Sequence, residues 1–209
     1  MSKPVKSYFY PNHMGRIVLL AMEEILGRNG VNAVLNRASL SDYINHYPSH
    51  NQDLHIPIEQ ISRMQSALED EYGPRGGRGL ALRSGRACFN YGLREFSPEL
   101  GLTDLAFRLL PLPSKLKVGS EAFAGLFNHF TDQLVRLEID EKNIFWTIER
   151  CPLCWQRRTS DPVCHLAVGL LQEALYWVSG GKFFNVEETQ CIARGDTTCT
   201  IVVDQTPVI

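Results

Sequence analysis

The hydrophobic pattern of the first two thirds of the chain is helical. Apolar residues recur three and four positions apart in the segments 13–27, 57–72 and 114–134, which is the spacing of one face of an α-helix. Gly73-Pro74 predicts the end of the second helix, because proline cannot continue a helix from its interior.

A polar stretch at residues 47–56, which contains Pro48, interrupts this helical pattern. Such a run predicts a loop between packed elements. We therefore expect two parts, an N-terminal helical arm of residues 1–56 that packs on the body, and a ligand-binding body of residues 57–209.

The pattern changes in the last third of the chain. Residues 135–140 alternate between apolar and polar, residues 141–143 are typical of a turn, and residues 144–149 are again extended in character, which predicts a β-hairpin. A helix that opens at Asp161 or Pro162 follows. Two further strands are predicted at residues 183–188 and 199–203, so the fold class is α+β.

Composition and charge exclude some partners. The chain has 209 residues, 44% of them hydrophobic, with a formal net charge of -2, so it carries no general basic field that would attract nucleic acid or an anionic membrane. No apolar run of about 18 residues and no apolar signal-peptide core occurs. We expect a cytoplasmic protein without a membrane span.

Cysteines mark the last third of the chain as the candidate chemical site. Five of the six cysteines lie there, at positions 151, 154, 164, 191 and 199. In a reducing compartment, clustered cysteines favour metal or redox chemistry over disulfides. Cys88 stands apart in a helical segment and is expected to be a buried hydrophobe.

The spacing of Cys151 and Cys154 leaves three interpretations open. A Cys-x-x-Cys loop is a good half-site for zinc. It is also the spacing of a redox pair, although no thioredoxin-like strand and helix surround it. The third interpretation is that these cysteines are buried and bind no metal.

A second feature is an arginine-rich and glycine-rich segment at residues 75–94, which holds five arginines and no acidic residue. Free backbone N–H groups at a glycine-rich helix entry can hold a phosphate or carboxylate. Arg78, Arg83 and Arg86 are the candidate anion-binding residues. The alternative is that the glycines allow another helix to approach closely.

An aromatic stripe lies on the long predicted helix 114–134. Phe123, Phe127 and Phe130 share one face of it. Such a stripe is usually core, but it is also a suitable wall for an apolar ligand pocket. Leu170 and Trp177, on the C-terminal helix, complete the candidate pocket.

The motif with the clearest family likeness lies in residues 145–205. Its residues are Pro162-Val163-Cys164-His165, Gly169, Gly180, Val186-Glu187-Glu188-Thr189-Gln190-Cys191, Ala193, Gly195-Asp196 and Cys199. They resemble the 4-vinyl reductase domain. That domain is similar to the sensory modules of phenol-responsive and xylene-responsive bacterial activators and, more distantly, to the tethering subunits of the TRAPP complex.

The resemblance implies helices packed on an antiparallel sheet around an apolar pocket, in a homodimer. It also implies a zinc ion bound by Cys164, Glu188, Cys191 and Cys199, with Cys151 and Cys154 as competing ligands. Four protein ligands leave no position for a catalytic water, so such a zinc would be structural.

Three functions fit this interpretation. The first is a small-molecule-binding or sensory domain for a hydrocarbon, such as an aromatic compound, a lipid chain or a tetrapyrrole, which passes its output to a protein partner. The second is an accessory or carrier protein in vinyl reduction of a chlorophyll precursor. The chain shows no dinucleotide fingerprint, so we do not expect a standalone reductase. The third is a dimeric scaffold that resembles the tethering subunits.

Overall fold

The computed structural model describes residues 7–101 and 105–208. Its elements, in chain order, are β1 (Phe9–Pro11), α1 (Asn12–Arg37), β2 (Leu54–Pro57), α2 (Ile58–Leu100), α3 (Leu105–Arg108), α4 (Leu112–Phe130), β3 (Val135–Ile139), β4 (Asn143–Ile148), α5 (His165–Ser179), β5 (Phe183–Gln190) and β6 (Cys199–Val208).

The two long helices are each interrupted at a glycine. Gly27 in α1 has φ 70° and Gly73 in α2 has φ 73°, a left-handed backbone that glycine adopts without a steric penalty. The kink at Gly73 lies where the sequence predicts a helix end, and Pro74 then occupies a first turn, where its missing N–H costs little. The chain past Gly27 resumes as helix, because Val31 and Leu35 continue the buried face.

Four strands form the main sheet, in the order β3-β4-β6-β5, with all neighbours antiparallel. The predicted hairpin β3–β4 is present. The last strand, β6, lies between β4 and β5, which places Cys199 opposite Ile148 at the end of β4. This register brings the start of β6 beside the loop that follows β4.

Helices cover one face of this sheet. Ile144, Trp146 and Ile148 alternate along β4 with at most 3% of their surface exposed, and Trp146 packs edge to face against Phe127 of α4. The structure therefore confirms the predicted α+β fold, with helices on an antiparallel sheet.

The closest helix crossing is between α2 and α5. A Cβ atom at Gly85 would lie 2.0 Å from the carbonyl oxygen of Leu166, and one at Gly169 would lie 2.0 Å from that of Leu82. Only glycine allows two backbones to meet at this distance, so each helix contributes one glycine to the crossing.

The N-terminal segment shares its core with the rest of the fold. β1 pairs with β2, and the Phe9 N–H donates to the Asp132 carboxylate at 2.8 Å. The irregular chain before β2 ends at Asp53, close to the predicted loop. The division into an arm and a body stays a prediction. None of the described helices is long and apolar enough to cross a membrane.

Candidate functional site

Five cysteines from separate segments meet at one end of the sheet. Cys151 and Cys154 lie in the loop after β4, Cys164 immediately precedes α5, Cys191 follows β5, and Cys199 begins β6. All five are fully buried, with 0% of their surface exposed. The order of the strands and the start of α5 produce this cluster from positions 48 residues apart in sequence at their extremes.

The sulfur atoms are spaced as ligands of one tetrahedral metal would be. Two Zn–S bonds of about 2.3 Å at the tetrahedral angle separate the sulfurs by about 3.8 Å. The Cys164 Sγ lies 3.4 Å from that of Cys151, 3.7 Å from that of Cys199 and 3.9 Å from that of Cys191. Cys154 Sγ lies 3.3 Å from Cys199 Sγ.

Two overlapping ligand sets satisfy this geometry. In the first, Cys151, Cys154, Cys164 and Cys199 place their sulfurs within 4.8 Å of one another. The second contains the residues implied by the family likeness: Cys164, Glu188, Cys191 and Cys199. The structure therefore brings the first-choice residues and the competing pair into one cluster, and Cys164 and Cys199 belong to both sets.

Glu188 is a buried carboxylate with one unused oxygen. Its Oε2 accepts a hydrogen bond from the Cys164 backbone N–H at 2.7 Å. Its Oε1 is buried and has no hydrogen-bond partner among the described residues. Burial, and then the charge of Cys191, raise the pKa of Glu188 to about 8. A cation at the cluster would satisfy the orphan oxygen and favour the ionised carboxylate.

The neighbouring thiols influence each other's protonation. Hydrogen bonding from Cys151, and then from the other thiols, lowers the pKa of Cys154, whereas the contact with Cys151 raises the pKa of Cys164. Sulfurs this close cannot all ionise without a cation to compensate their charge. The donor set therefore fits a metal that prefers thiolates, such as zinc.

Beside the cluster lies an apolar cavity of about 110 Å³. Its walls come from α1, α2, α4, α5 and the sheet, and from the loop between Cys151 and Cys154, which contributes Pro152 and Leu153. The other lining residues include Met14, Ile17, Val18, Ile61, Cys88, Phe89, Leu93, Phe96, Leu126, Trp146, Leu166 and Ala167.

The predicted pocket residues lie in and around this cavity. Phe123, Phe127 and Leu170 line it. Phe130 packs against Phe96, with ring centroids 5.4 Å apart. Trp177 does not line it, but its ring centroid is 6.2 Å from that of Phe89, which does. That any of the five contacts a ligand stays a prediction.

Sequence reasoning missed the polar pair in the cavity wall. The Tyr10 hydroxyl donates a hydrogen bond to the side-chain oxygen of Gln133, and both residues line the cavity. Burial raises the pKa of Tyr10 well above its ordinary value, as do the nearby Cys151 and Cys88, so the phenol stays protonated. Neither residue belongs to a motif, and only the pairing of β1 with the start of the sheet brings them together.

The candidate anion-binding arginines lie exposed on α2. Arg86 donates a hydrogen bond to the Gln172 side chain of α5 at 2.8 Å, while Arg78 and Arg83 are also exposed. Gly85, in the same segment, packs against α5, as the alternative interpretation expects. An anion site at these arginines stays a prediction.

Comparison with known proteins identifies the C-terminal part of the chain. Residues 144–205 match the family model of the 4-vinyl reductase domain. The chain carries a 4-vinyl reductase domain. This confirms the resemblance seen in the sequence motif, and the domain contains all five clustered cysteines together with Glu188. The likeness to TRAPP subunits stays a prediction.

Solved structures extend the likeness beyond the 4-vinyl reductase domain. The phenol-responsive sensory domain of the transcription activator PoxR, solved with phenol, is 20% identical, with a TM-score of 0.51 over 72% of this chain and 74% of that one. An H-NOX structure from a study of heme distortion is 11% identical, with a TM-score of 0.59 over 95% of this chain and 97% of that one.

An H-NOX protein from S. oneidensis in the Fe(II)NO state is 12% identical, with a TM-score of 0.54 over 90% of this chain and 97% of that one. No curated protein matches the chain. At these identities the likeness is one of fold: a 4-vinyl reductase domain extended by helices into the architecture that these sensory and heme domains share.

Proposed function

We propose that this protein binds a small apolar molecule, about the size of one aromatic ring, in the cavity beside the cysteine cluster. The cavity itself carries this proposal. It measures about 110 Å³ and is lined almost entirely by aliphatic and aromatic side chains, and an apolar cavity of about 150 Å³ is large enough to bind benzene. Sensing of such a molecule is the function that this site supports best.

The Tyr10–Gln133 pair provides recognition of one polar group on the ligand. A hydroxyl has one donor and two acceptor positions, so Tyr10 can donate to Gln133 and still accept from a ligand. The amide of Gln133 adds further donors. A phenol therefore suits the cavity better than a plain hydrocarbon, and the phenol-bound PoxR domain supports this choice.

The same cavity argues against a tetrapyrrole. A porphyrin has several times the volume of a single ring, and the described residues that line the cavity include no histidine to ligate iron. Cys88 is the thiol in the wall, and burial raises its pKa to about 12, so it is not a thiolate. A carrier role for a chlorophyll precursor therefore ranks second, and a tethering scaffold third.

A structural zinc ion in the cysteine cluster is the second part of the proposal. Cys164, Glu188, Cys191 and Cys199 are its first-choice ligands, with Cys151 and Cys154 in reach of the same position. When bound, the metal supplies charge to the thiolates and to Glu188 and holds the loop with Pro152 and Leu153 against the cavity. We further propose a cytoplasmic homodimer that signals through a protein partner.

Titration calorimetry with phenol and with toluene tests the ligand proposal. Both should bind, and Tyr10→Phe should weaken phenol binding about fivefold, the value of one hydrogen bond of about 1 kcal/mol, with toluene unaffected. Gln133→Leu should behave in the same way, and the exposed Gln52→Leu serves as its control. Absence of binding of either compound at millimolar concentration contradicts the proposal.

A further inference from the structure

A second cluster of metal-ligating side chains lies away from the cysteines. His13 is near the start of α1, His50 is in the loop before β2, and Glu95 is near the end of α2. The Nε2 atoms of His13 and His50 each lie 3.4 Å from Glu95 Oε2. The three ligand atoms all lie within 4.8 Å of one another.

The spacing of these atoms fits a shared metal better than hydrogen bonds. A charge-assisted hydrogen bond from nitrogen to a carboxylate measures about 2.7–2.9 Å, shorter than the two contacts to Glu95. Two ligand atoms that each lie about 2.1 Å from a tetrahedral metal are about 3.4 Å apart. The observed separations match the second case.

His13 supplies an independent observation. Only 7% of its surface is exposed, and its Nε2 is buried without a hydrogen-bond partner among the described residues. That nitrogen points at Glu95. Burial lowers the pKa of His13, so the ring is neutral at pH 7 and its lone pair is available, as metal binding requires.

The surrounding structure holds the three residues in place. The His13 ring stacks on His50, with centroids 4.2 Å apart, and on Phe96, with centroids 5.1 Å apart. The His13 backbone N–H donates to the Asn51 carbonyl at 2.9 Å, which ties the loop to the helix start. The nearby Arg16 directs its guanidinium at the Pro48 carbonyl, at 3.1 Å.

We propose that His13, His50 and Glu95 form a second metal site, which binds one divalent transition-metal ion such as zinc, cobalt or nickel. Two imidazoles and one carboxylate suit these ions rather than calcium or magnesium. Three protein ligands leave at least one position open. Phe96 stacks on His13 and also lines the cavity, so the site lies behind one wall of the cavity.

Cobalt binding to the zinc-loaded protein tests this site. Equilibrium dialysis with Co²⁺, followed by elemental analysis, should show one equivalent of cobalt in addition to the zinc. His50→Ala and Glu95→Gln should each weaken this binding at least about tenfold. Both side chains are partly exposed, so these variants should fold. His46→Ala, in the same loop and exposed, should bind cobalt like the wild type.

Three results would overturn the proposal. The wild type could take up no cobalt beyond its zinc at millimolar concentration. Cobalt could instead displace zinc, with sulfur-to-cobalt charge-transfer absorption and no additional equivalent. The two variants could also bind cobalt as tightly as the wild type. None of these outcomes depends on whether the cavity binds phenol.

Discussion

At the scale of single residues, Cys164 is the centre of the cysteine cluster. Its sulfur lies within 4 Å of three other sulfurs, since the distances are 3.4, 3.7 and 3.9 Å, and its backbone N–H donates to Glu188. Both ligand sets contain it. Its loss should therefore remove the metal whichever set is used.

We expect Cys164→Ser protein to contain little or no zinc after purification, as measured by elemental analysis. Cys88→Ser is the matched control, because Cys88 is also a buried thiol but lies apart from the cluster, and it should retain one equivalent. A comparison of Cys151→Ser with Cys191→Ser then decides between the two sets. Full zinc content in Cys164→Ser would contradict the assignment.

His165 predicts a pH dependence of stability. Burial, and then the positive charges of Arg78 and Arg157, lower its pKa to about 4, whereas an unfolded histidine titrates near pH 6.5. Between these values the unfolded chain binds more protons, so stability falls as the pH falls from about 6.5 towards about 4. His165→Gln should lose less stability than the wild type between pH 7 and pH 5.

Urea unfolding of the two proteins at both pH values measures this difference. His46→Gln, which changes an exposed histidine, should follow the wild type. Equal losses in the wild type and in His165→Gln would show that the protonation of His165 is not linked to folding.

At the scale of elements, the crossing of α2 and α5 sets the position of the helix that begins at Cys164. Gly85→Ala would place a methyl group 2.0 Å from the Leu166 carbonyl, and backbone cannot yield as a side chain can. We expect it to destabilise the fold by about 1–3 kcal/mol. Gly79→Ala, in the same helix with open space around it, should instead be neutral or stabilise by up to about 1 kcal/mol. Chemical denaturation of both variants measures the contrast, and equal stability would mean that the helices do not pack this closely.

At the scale of the whole molecule, the cysteine cluster and the cavity share one loop. Pro152 and Leu153 line the cavity, and the cysteines on either side of them lie in the cluster. Arg157, further along this loop, forms an ion pair of 2.6 Å with Glu69 of α2. A metal in the cluster therefore stabilises the cavity wall as well as the end of the sheet.

Removal of the metal should lower both the melting temperature and the affinity for phenol. Calorimetry on the protein before and after treatment with a chelator measures both quantities, and added zinc should restore them. If the metal-free protein bound phenol as tightly as the metal-loaded protein, the proposed coupling between loop and cavity would be wrong.

Much of the fold and part of the site could be predicted from local sequence. The kink at Gly73, the β3–β4 hairpin and the likeness of residues 145–205 to the 4-vinyl reductase domain all follow from patterns within short segments. The ligand set could be narrowed to Glu188 and five cysteines for the same reason. Proline, glycine and alternating apolar residues act through the neighbouring backbone, so their effects are readable without the fold.

The rest depended on contacts between distant segments. The sequence by itself determined which residues have metal-binding chemistry and which faces are apolar. Only the tertiary structure decided that β6 inserts beside β4 and collects both cysteine pairs, that Tyr10 meets Gln133, and that His13, His50 and Glu95 converge. Spacing along the chain carries no information about such meetings, because they are set by strand order and by how closely glycine lets two helices approach.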